Sequence, residues 1–273
     1  KFRINMIGGG FQHSFGTNAF NRPQFVEWVK APHDAHESIH IDRHIFSQVN
    51  KSKINYAMLS ESKTIIPKVY AEVSKNVRFI EDNYELLFTH DTSLSALSEK
   101  FVLINPPASS WILESNRKIY KKTKLISMIA STKTMCNEHL FRQAIAKKFA
   151  SQIDLFGRGR STELKNKIDG LKDYCFSICM ENSTYNNCYT EKITDCFSVG
   201  TIPIYYGPKV AYEHFNPEGI IDLKDFDISK MSQELYYQKL QAVRENYEIA
   251  KNFLLPEDDA FIKYIRRDPN ALL

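Results

Sequence analysis

The sequence predicts an α/β protein built from two similar halves with a cleft between them. Short apolar runs alternate with longer amphipathic stretches, the alternation is interrupted over residues 105–124, and it resumes after them. Such alternation is typical of a mostly parallel sheet covered by helices. The length of 273 residues is enough for one large domain or two modest ones, and either can bury a sizeable core.

The first half of the chain contains short apolar runs that predict strands, with helical stretches between several of them. The predicted strands are residues 2–7, 39–42, 54–59, 77–80, 86–89 and 101–104, and the predicted helices include residues 66–75 and 93–100. Residues 105–110, Asn-Pro-Pro-Ala-Ser-Ser, break regular structure, and residues 118–124 are polar and basic. We therefore predict a domain boundary in this region, with residues 1–115 as the first domain.

The second half repeats the alternation and predicts a second domain, residues 116–250. Strands are predicted at residues 125–130, 153–156, 174–180 and 201–206, and helices at residues 138–149, 191–199, 229–255 and 258–267. In the helix predicted at residues 138–149, one apolar face is expected to carry Leu140, Phe141, Ala144, Ile145 and Phe149. Residues 251–273 are expected to form a helical tail.

Composition and charge narrow the class of protein. Lys and Arg number 36 and Asp and Glu number 32, and a net charge of only +4 makes nucleic-acid binding an unfavoured class. No run approaches the ~18–20 apolar residues of a membrane span, and the first residues lack the apolar region of a signal peptide. An odd number of cysteines, 5, favours free thiols in a reducing compartment. We expect a cytoplasmic protein, with peripheral membrane contact as the alternative.

Polar residues follow the strand predicted at residues 174–180. Glu181 and Asn182 come directly after it, and Thr190, Glu191 and Lys192 begin the next predicted helix. Ligands of open α/β sheets bind beyond the carboxyl ends of strands, and a helix N-terminus suits a phosphate group. Lys192 adds a full positive charge, and Glu191 has the chemistry to bind ribose hydroxyls. The alternative is an ordinary helix start capped by Thr190.

Residues 176–207, FSICMENSTYNNCYTEKITDCFSVGTIPIYYG, resemble the donor-binding core of the α-1,3-fucosyltransferases, which form glycosyltransferase family 10. The Glu-Asn-Ser, Thr-Glu-Lys and Gly-Thr-Ile-Pro-Ile segments match the family pattern in order and spacing. The resemblance extends over about residues 125–225 and is weak before them. It implies the GT-B architecture of two facing Rossmann-like domains, and a role in glycan biosynthesis such as protein glycosylation.

The resemblance also implies a donor and the residues that bind it. The donor is a nucleoside-diphosphate sugar, usually GDP-fucose, and transfer to a hydroxyl of a glycan acceptor inverts the anomeric centre. The family tyrosine lies two residues before Thr-Glu-Lys, where this chain has Cys188, so that Tyr189 is displaced by one position. The expected donor-binding residues are Arg142, Glu181, Asn182, Tyr189, Thr190, Glu191 and Lys192.

The family has a general base, a glutamate in a Gly-Glu-Asn context at a strand end of the N-terminal domain. Here Glu61 follows the strand predicted at residues 54–59, with serine in both flanking positions. A carboxylate within hydrogen-bond reach of the acceptor hydroxyl can take its proton. The resemblance therefore implies that Glu61 is catalytic, and the alternative is a surface glutamate that caps a helix.

The acceptor side is expected to involve Gly9 and Gly10, His13 and Tyr185, because a glycine turn lets a ligand approach the backbone. The chain lacks a metal-binding Asp-x-Asp motif, so we expect no metal requirement, although a divalent metal remains an alternative. Two other functions also stay open: transfer of a different sugar from a different nucleotide, and binding of a glycan or nucleotide without catalysis.

Overall fold

The computed structural model describes residues 1–8, 16–18, 20–29, 35–51, 53–185 and 188–266. The chain divides into two compact units. The first unit contains Lys1–Pro107, Cys188 and the segment that begins at Leu254, and the second unit contains Ala108–Tyr185 and Tyr189–Phe253. None of the helices in the described ranges combines the length and the apolar character that a bilayer span requires.

The first unit contains a parallel sheet with the strand order β2-β1-β3-β4-β5-β6. The strands are β1 (Phe2–Ile7), β2 (Val26–Val29), β3 (Glu37–Ile41), β4 (Ile54–Met58), β5 (Leu86–Thr89) and β6 (Phe101–Leu103). Because β2 and β3 lie on opposite sides of β1, the strand order reverses between β1 and β3. That reversal is the topological switch point at which open parallel sheets bind ligands.

Between β4 and β6, where the structure describes every residue, the connections contain the α-helices α1 (Pro67–Lys75), α2 (Val77–Asn83) and α3 (Thr92–Ser95). The prediction of a strand at residues 77–80 is wrong, because these residues form the start of α2. Val77 and Ile80 pack against the same hydrophobic cluster, and a spacing of three is helical. The prediction also missed β2, in which the buried residues Val26 and Val29 are three apart and so show no alternation.

The second unit contains a parallel sheet with the order β11-β10-β9-β7-β8. Its elements are β7 (Lys124–Ile129), α4 (Asn137–Phe149), β8 (Asp154–Phe156), β9 (Tyr174–Met180), α5 (Glu191–Ser198), β10 (Ile202–Tyr206), α6 (Ala211–His214), β11 (Ile221–Asp222), α7 (Gln233–Gln238) and α8 (Leu240–Lys251). The central strand β9 is buried along its whole length. In this sheet the strand order reverses between β7 and β9.

The predicted long helix at residues 229–255 is two helices, because the chain leaves helical geometry at Lys239, where ψ is 8°. After α8 the chain continues into α9 (Pro256–Ala260) and a single π-helical turn, Phe261–Ile265. Three successive buried carboxylates fasten α9 to the rest of the first unit. Glu257 accepts hydrogen bonds from Thr17, Asp258 from the backbone N–H groups of Gln24 and Phe25, and Asp259 from the N–H of Asn105.

Candidate functional site

The candidate site of the second unit lies beyond the carboxyl ends of β7 and β9, at the switch point of that sheet. Helix α4 begins at Asn137 after β7, Glu181 and Asn182 follow β9, and α5 begins at Glu191. Side-chain hydrogen bonds join the end of β9 to both helices, from Arg142 to Asn182 and from Lys192 to Glu181. The position is the one in which open α/β sheets bind ligands.

Glu181 holds the end of β9 to the start of α5. Its side chain is buried, and its carboxylate accepts hydrogen bonds from the Thr190 N–H at 2.9 Å, the Thr190 hydroxyl at 2.7 Å and the Lys192 ammonium at 3.1 Å. Three donors, one of them charged, offset the cost of burying this carboxylate. The Glu181 oxygens are therefore engaged within the protein, and the residue positions Thr190 and Lys192.

Thr190 occupies the N-cap position of α5 but does not cap the helix with its side chain. Its hydroxyl donates to Glu181 and accepts from the Lys192 ammonium at 2.7 Å. The positive end of the helix therefore keeps amide groups that the Thr190 hydroxyl does not satisfy. Burial would lower the pKa of Lys192, but the carboxylates of Glu181 and Glu191 raise it, so that its charge is retained at neutral pH.

Glu191 is held by a lysine that the sequence did not single out. The Lys167 ammonium lies 3.0 Å from the Glu191 carboxylate and 2.5 Å from that of Asp195, which is fully buried. Asp195 also accepts hydrogen bonds at 2.7 Å from the Ser110 hydroxyl and the Trp111 N–H. Burial would raise the pKa of Glu191, but the ammonium of Lys167 outweighs it and brings the pKa to about 2. Glu191 is thus a half-buried, ionised acceptor.

Arg142 is a buried cation that forms no ion pair with any described carboxylate. Its side chain lies on α4, the residue is 6% exposed, and Nη1 donates to Asn182 Oδ1 at 3.1 Å. Its Nε has no hydrogen-bond partner within the described ranges. Burial lowers the pKa of the guanidinium, which stays protonated at neutral pH. A buried charge without an opposite charge beside it is costly, so this arrangement suits an anionic ligand.

His139, one turn before Arg142 on α4, orients Asn182. The Met135 N–H donates to His139 Nδ1 at 3.1 Å, and Nε2 lies 3.2 Å from Asn182 Oδ1. Because Nδ1 must accept from an N–H group, the network assigns the ring hydrogen to Nε2 and makes the imidazole neutral. Asn182 Oδ1 then accepts from both His139 and Arg142, which leaves its Nδ2 hydrogens available for another partner.

The face of α4 that is buried differs from the predicted apolar one. Leu140 and Phe141 are 54% and 40% exposed. Phe149 is buried as predicted, and the other buried residues of α4 are His139, Arg142 and Ala146, which the predicted face did not include. The spacing of three and four residues is helical, but its first two members are polar. They face inward because Asn182 supplies a hydrogen-bond acceptor at the end of β9.

The remaining predicted residues of this region have other surroundings. The Tyr189 side chain is buried, its hydroxyl lies 2.7 Å from His214 Nδ1, and its ring packs against Phe215 and Phe253. These core contacts give no support to the donor contact predicted for Tyr189. Tyr185 is 38% exposed, and its N–H donates to Ser183. The predicted residues Gly9, Gly10 and His13 lie outside the described residues.

In the first unit, Glu61 follows β4 in a loop that is anchored on both sides. The Asp42 carboxylate, just after β3, accepts hydrogen bonds from the Ser60 N–H at 2.8 Å, the Ser60 hydroxyl at 2.7 Å and the Glu61 N–H at 3.3 Å. The Tyr70 hydroxyl donates to the Glu61 carbonyl at 2.9 Å. Glu61 is an exposed residue, and Ile66, the N-cap residue of α1, forms no capping hydrogen bond with its side chain.

Metal ligands do not gather in the part of the chain that the structure describes. Within the described ranges, no group of three or more His, Cys, Asp or Glu side chains is placed to hold a metal ion. His36, His40 and His44 are in an extended segment and the turn after it rather than on one α-helix. The prediction that no metal is required remains a prediction.

Comparison with known proteins finds a family model that matches residues 119–253, a sequence relative of part of the chain, and similar folds over most of it. Residues 119–253 match the family model described as glycosyltransferase family 10 (fucosyltransferase) C-term. The α-(1,3)-fucosyltransferase FucT of Helicobacter pylori is 40% identical over 63 residues, which are 23% of this chain and 13% of that protein. The chain therefore matches a small part of the length of this curated relative.

Two solved structures have a similar fold over nearly the whole chain. A crystal structure of an α1,3-fucosyltransferase gives a TM-score of 0.54 at 14% identity and covers 98% of this chain and 90% of its own. A crystal structure of an α1,3-fucosyltransferase with GDP gives 0.53 at 13% identity and covers 94% and 92%. At such identities the likeness concerns the fold. The predicted α/β class of GT-B type, with two Rossmann-like units, is confirmed.

Proposed function

Because residues 119–253 belong to glycosyltransferase family 10, we propose that the chain transfers fucose from GDP-fucose to a hydroxyl of a glycan acceptor, with inversion at the anomeric carbon. Two findings support the donor. The sequence relative is named as an α-(1,3)-fucosyltransferase, and a protein of the same fold has a structure with GDP. The proposal needs no metal and no nucleic-acid partner.

The observation that carries this proposal is the buried guanidinium of Arg142 without a carboxylate partner. A diphosphate supplies the missing negative charge, and the Lys192 ammonium adds a second cation at the start of α5. As the bond between fucose and the diphosphate breaks, negative charge grows on the departing nucleotide. Preorganised cations and helix amides stabilise that charge in the transition state.

The other polar residues of the site complete donor binding in this proposal. The Asn182 amide donates to a donor oxygen, and the ionised Glu191 carboxylate accepts hydrogen bonds from ribose hydroxyls. Thr190 and Glu181 act mainly by holding Lys192 in place. Tyr189, whose ring lies in the core, shapes the site from behind.

We assign the proton transfer to Glu61. Its carboxylate takes the proton of the acceptor hydroxyl while the acceptor oxygen attacks the anomeric carbon and GDP leaves from the opposite face. A single displacement of this kind inverts the anomeric centre. Gly9, Gly10, His13 and Tyr185 are proposed on the acceptor side.

The test is a thermal-shift panel of GDP, UDP, ADP and CDP with the wild type, Arg142→Met and Lys147→Met. Lys147 is an exposed cation on the same helix and is the matched control. We expect GDP to raise the Tm of the wild type and of Lys147→Met, and to have a much smaller effect on Arg142→Met. Absence of stabilisation by any nucleotide would contradict the proposal.

Donor turnover then separates the remaining functions. Release of fucose or its transfer to an acceptor, retained in EDTA, is expected from the wild type. Stabilisation by UDP, ADP or CDP instead of GDP would mean that the donor sugar is carried by that nucleotide. GDP binding without hydrolysis or transfer would instead identify a binding module.

A further inference from the structure

Asp42 has a left-handed backbone conformation, which is unusual for a residue other than glycine. Among the described residues it is the one non-glycine residue with a positive φ, 51°. The left-handed region costs most residues energy, although Asp and Asn tolerate it better than others because their short polar side chains bond locally. The conformation follows directly after β3, beside the switch point of the first sheet.

The Asp42 carboxylate is fully committed to the loop that carries Glu61. Asp42 is 8% exposed, Oδ1 accepts from the N–H groups of Ser60 and Glu61, and Oδ2 accepts from the Ser60 hydroxyl. Burial raises the pKa of this carboxyl, and the donors from Ser60 and Glu61 oppose that shift. A buried carboxylate with three donors from one loop fixes the backbone of that loop.

Tyr70 anchors the same peptide from the other side. Its buried hydroxyl donates to the Glu61 carbonyl and lies 3.2 Å from His90 Nε2. Burial lowers the pKa of His90 to about 4, so the ring is neutral at pH 7 and can donate to the Tyr70 oxygen. The N–H and the C=O of Glu61 are thus both held by buried side chains, while Glu61 as a residue is exposed.

We propose that Asp42 is a positioning residue for the transfer reaction, because it fixes the Ser60–Glu61 backbone and so holds the Glu61 carboxylate in one place for proton removal. This inference rests on the proposed function of Glu61. A base held to a narrow range of positions loses less rate to misalignment, and small displacements can cost about 100-fold. Asp42 itself exchanges no proton in this mechanism.

The test compares Asp42→Gly, Asp42→Asn and Glu61→Gln in steady-state kinetics with GDP-fucose. Glycine removes the carboxylate and tolerates the positive φ, so the fold is retained. Asparagine also tolerates that φ, its Oδ1 can accept from both N–H groups, and its Nδ2 can donate to the Ser60 hydroxyl. We expect Asp42→Gly to lower kcat about 100-fold with the donor KM unchanged, and Asp42→Asn to keep most of the activity.

GDP-dependent stabilisation, measured on each variant, reports whether the protein is folded and binds the donor nucleotide. Full kcat in Asp42→Gly, or equal losses in Asp42→Gly and Asp42→Asn, would overturn the role of Asp42. If Glu61→Gln is inactive while Asp42→Gly is active, only this inference fails. If Glu61→Gln is fully active, the proposed base fails, and the positioning role fails with it.

Discussion

The two units have the same strand order around their first strand, but the charged side chains beyond the strand ends differ. In the first unit β2 and β3 flank β1, and in the second unit β8 and β9 flank β7 in the same way. The first unit places the carboxylates of Asp42 and Glu61 after its strands. The second unit pairs the carboxylate after β9, Glu181, with Lys192 in the first turn of α5, and adds the cation Arg142 on α4. One topology therefore provides two positions for chemistry, and the side chains decide what each does.

The two regions also differ in how their buried charges are satisfied. Asp42 accepts three hydrogen bonds from its own unit, so the loop of Glu61 is held without a ligand. Arg142 has one hydrogen bond to Asn182 and an unsatisfied Nε within the described ranges. The first region is therefore preorganised by the protein, whereas in the proposed function the diphosphate of the donor completes the second.

The largest effect is expected when the Glu61 carboxylate is removed. Glu61→Gln should lower kcat by about 100- to 10 000-fold, because the amide cannot take the acceptor proton. GDP binding should be unchanged, since the donor residues lie in the second unit. Steady-state kinetics and GDP titration measure the two effects separately. Glu72→Gln, an exposed carboxylate on α1, is the control, and a similar loss there would remove the special role of Glu61.

The second effect concerns the ion pairs that Lys167 forms with Glu191 and Asp195 of α5. Lys167→Met should lower the free energy of unfolding by about 3 kcal/mol, because it leaves Asp195 buried without its cation. Asp195→Asn in the same background should restore part of this loss, since Oδ1 can still accept from Ser110 and Trp111. Urea denaturation of the double-mutant cycle measures the coupling. Additive losses would show that the two residues do not interact.

The third effect distinguishes binding from stability at Arg142. Arg142→Met should weaken GDP binding by about 10- to 100-fold, because charged hydrogen bonds are lost. Without nucleotide, the variant should be as stable as the wild type or more stable, because a buried cation without a carboxylate partner is removed. Calorimetric titration and unfolding in the absence of nucleotide test both statements. A large loss of stability would mean that Arg142 serves the fold.

The smallest effect is a pH dependence at His139. Burial, assisted by the charge of Arg142, lowers the pKa of His139 below its ordinary value of 6.5. The unfolded chain therefore takes up a proton first, so stability is complete above about pH 6.5 and falls as the pH decreases through the folded pKa. The free energy of unfolding at pH 7.5 minus that at pH 5.5 should be smaller in His139→Gln than in the wild type. Equal differences would contradict the neutral assignment of this ring.

Much of the fold follows from local patterns in the sequence. β9 and β5 were predicted with their observed bounds, because each is a compact apolar run between polar residues. The start of α2 was predicted as a strand because four residues are too few to distinguish a spacing of two from one of three. In α4, the polar residues His139 and Arg142 are buried, whereas the apolar pattern of the sequence predicted burial of Leu140 and Phe141.

The site was predictable where a contiguous motif carries it. The motif located Glu181, Asn182 and Lys192 at the strand and helix ends where the structure places them. Lys167, His139 and Asp42 were missed, because each is an ordinary residue type whose partner lies elsewhere in the chain. His139 and Asn182, for example, are 43 residues apart.

The sequence by itself determined the alternation of strands and helices and the segments that end beside a ligand, because both depend on residues close together in the chain. Tertiary structure alone decided which charges are paired. Glu181 takes Thr190 and Lys192, and Lys167 takes Glu191 and Asp195, so that Arg142 is left without an ion pair among the described residues. Lys122 is also buried without an ion pair there, but its ammonium donates to three oxygens of the protein. Such pairing depends on distances of about 3 Å between segments that only the folded sheet brings together.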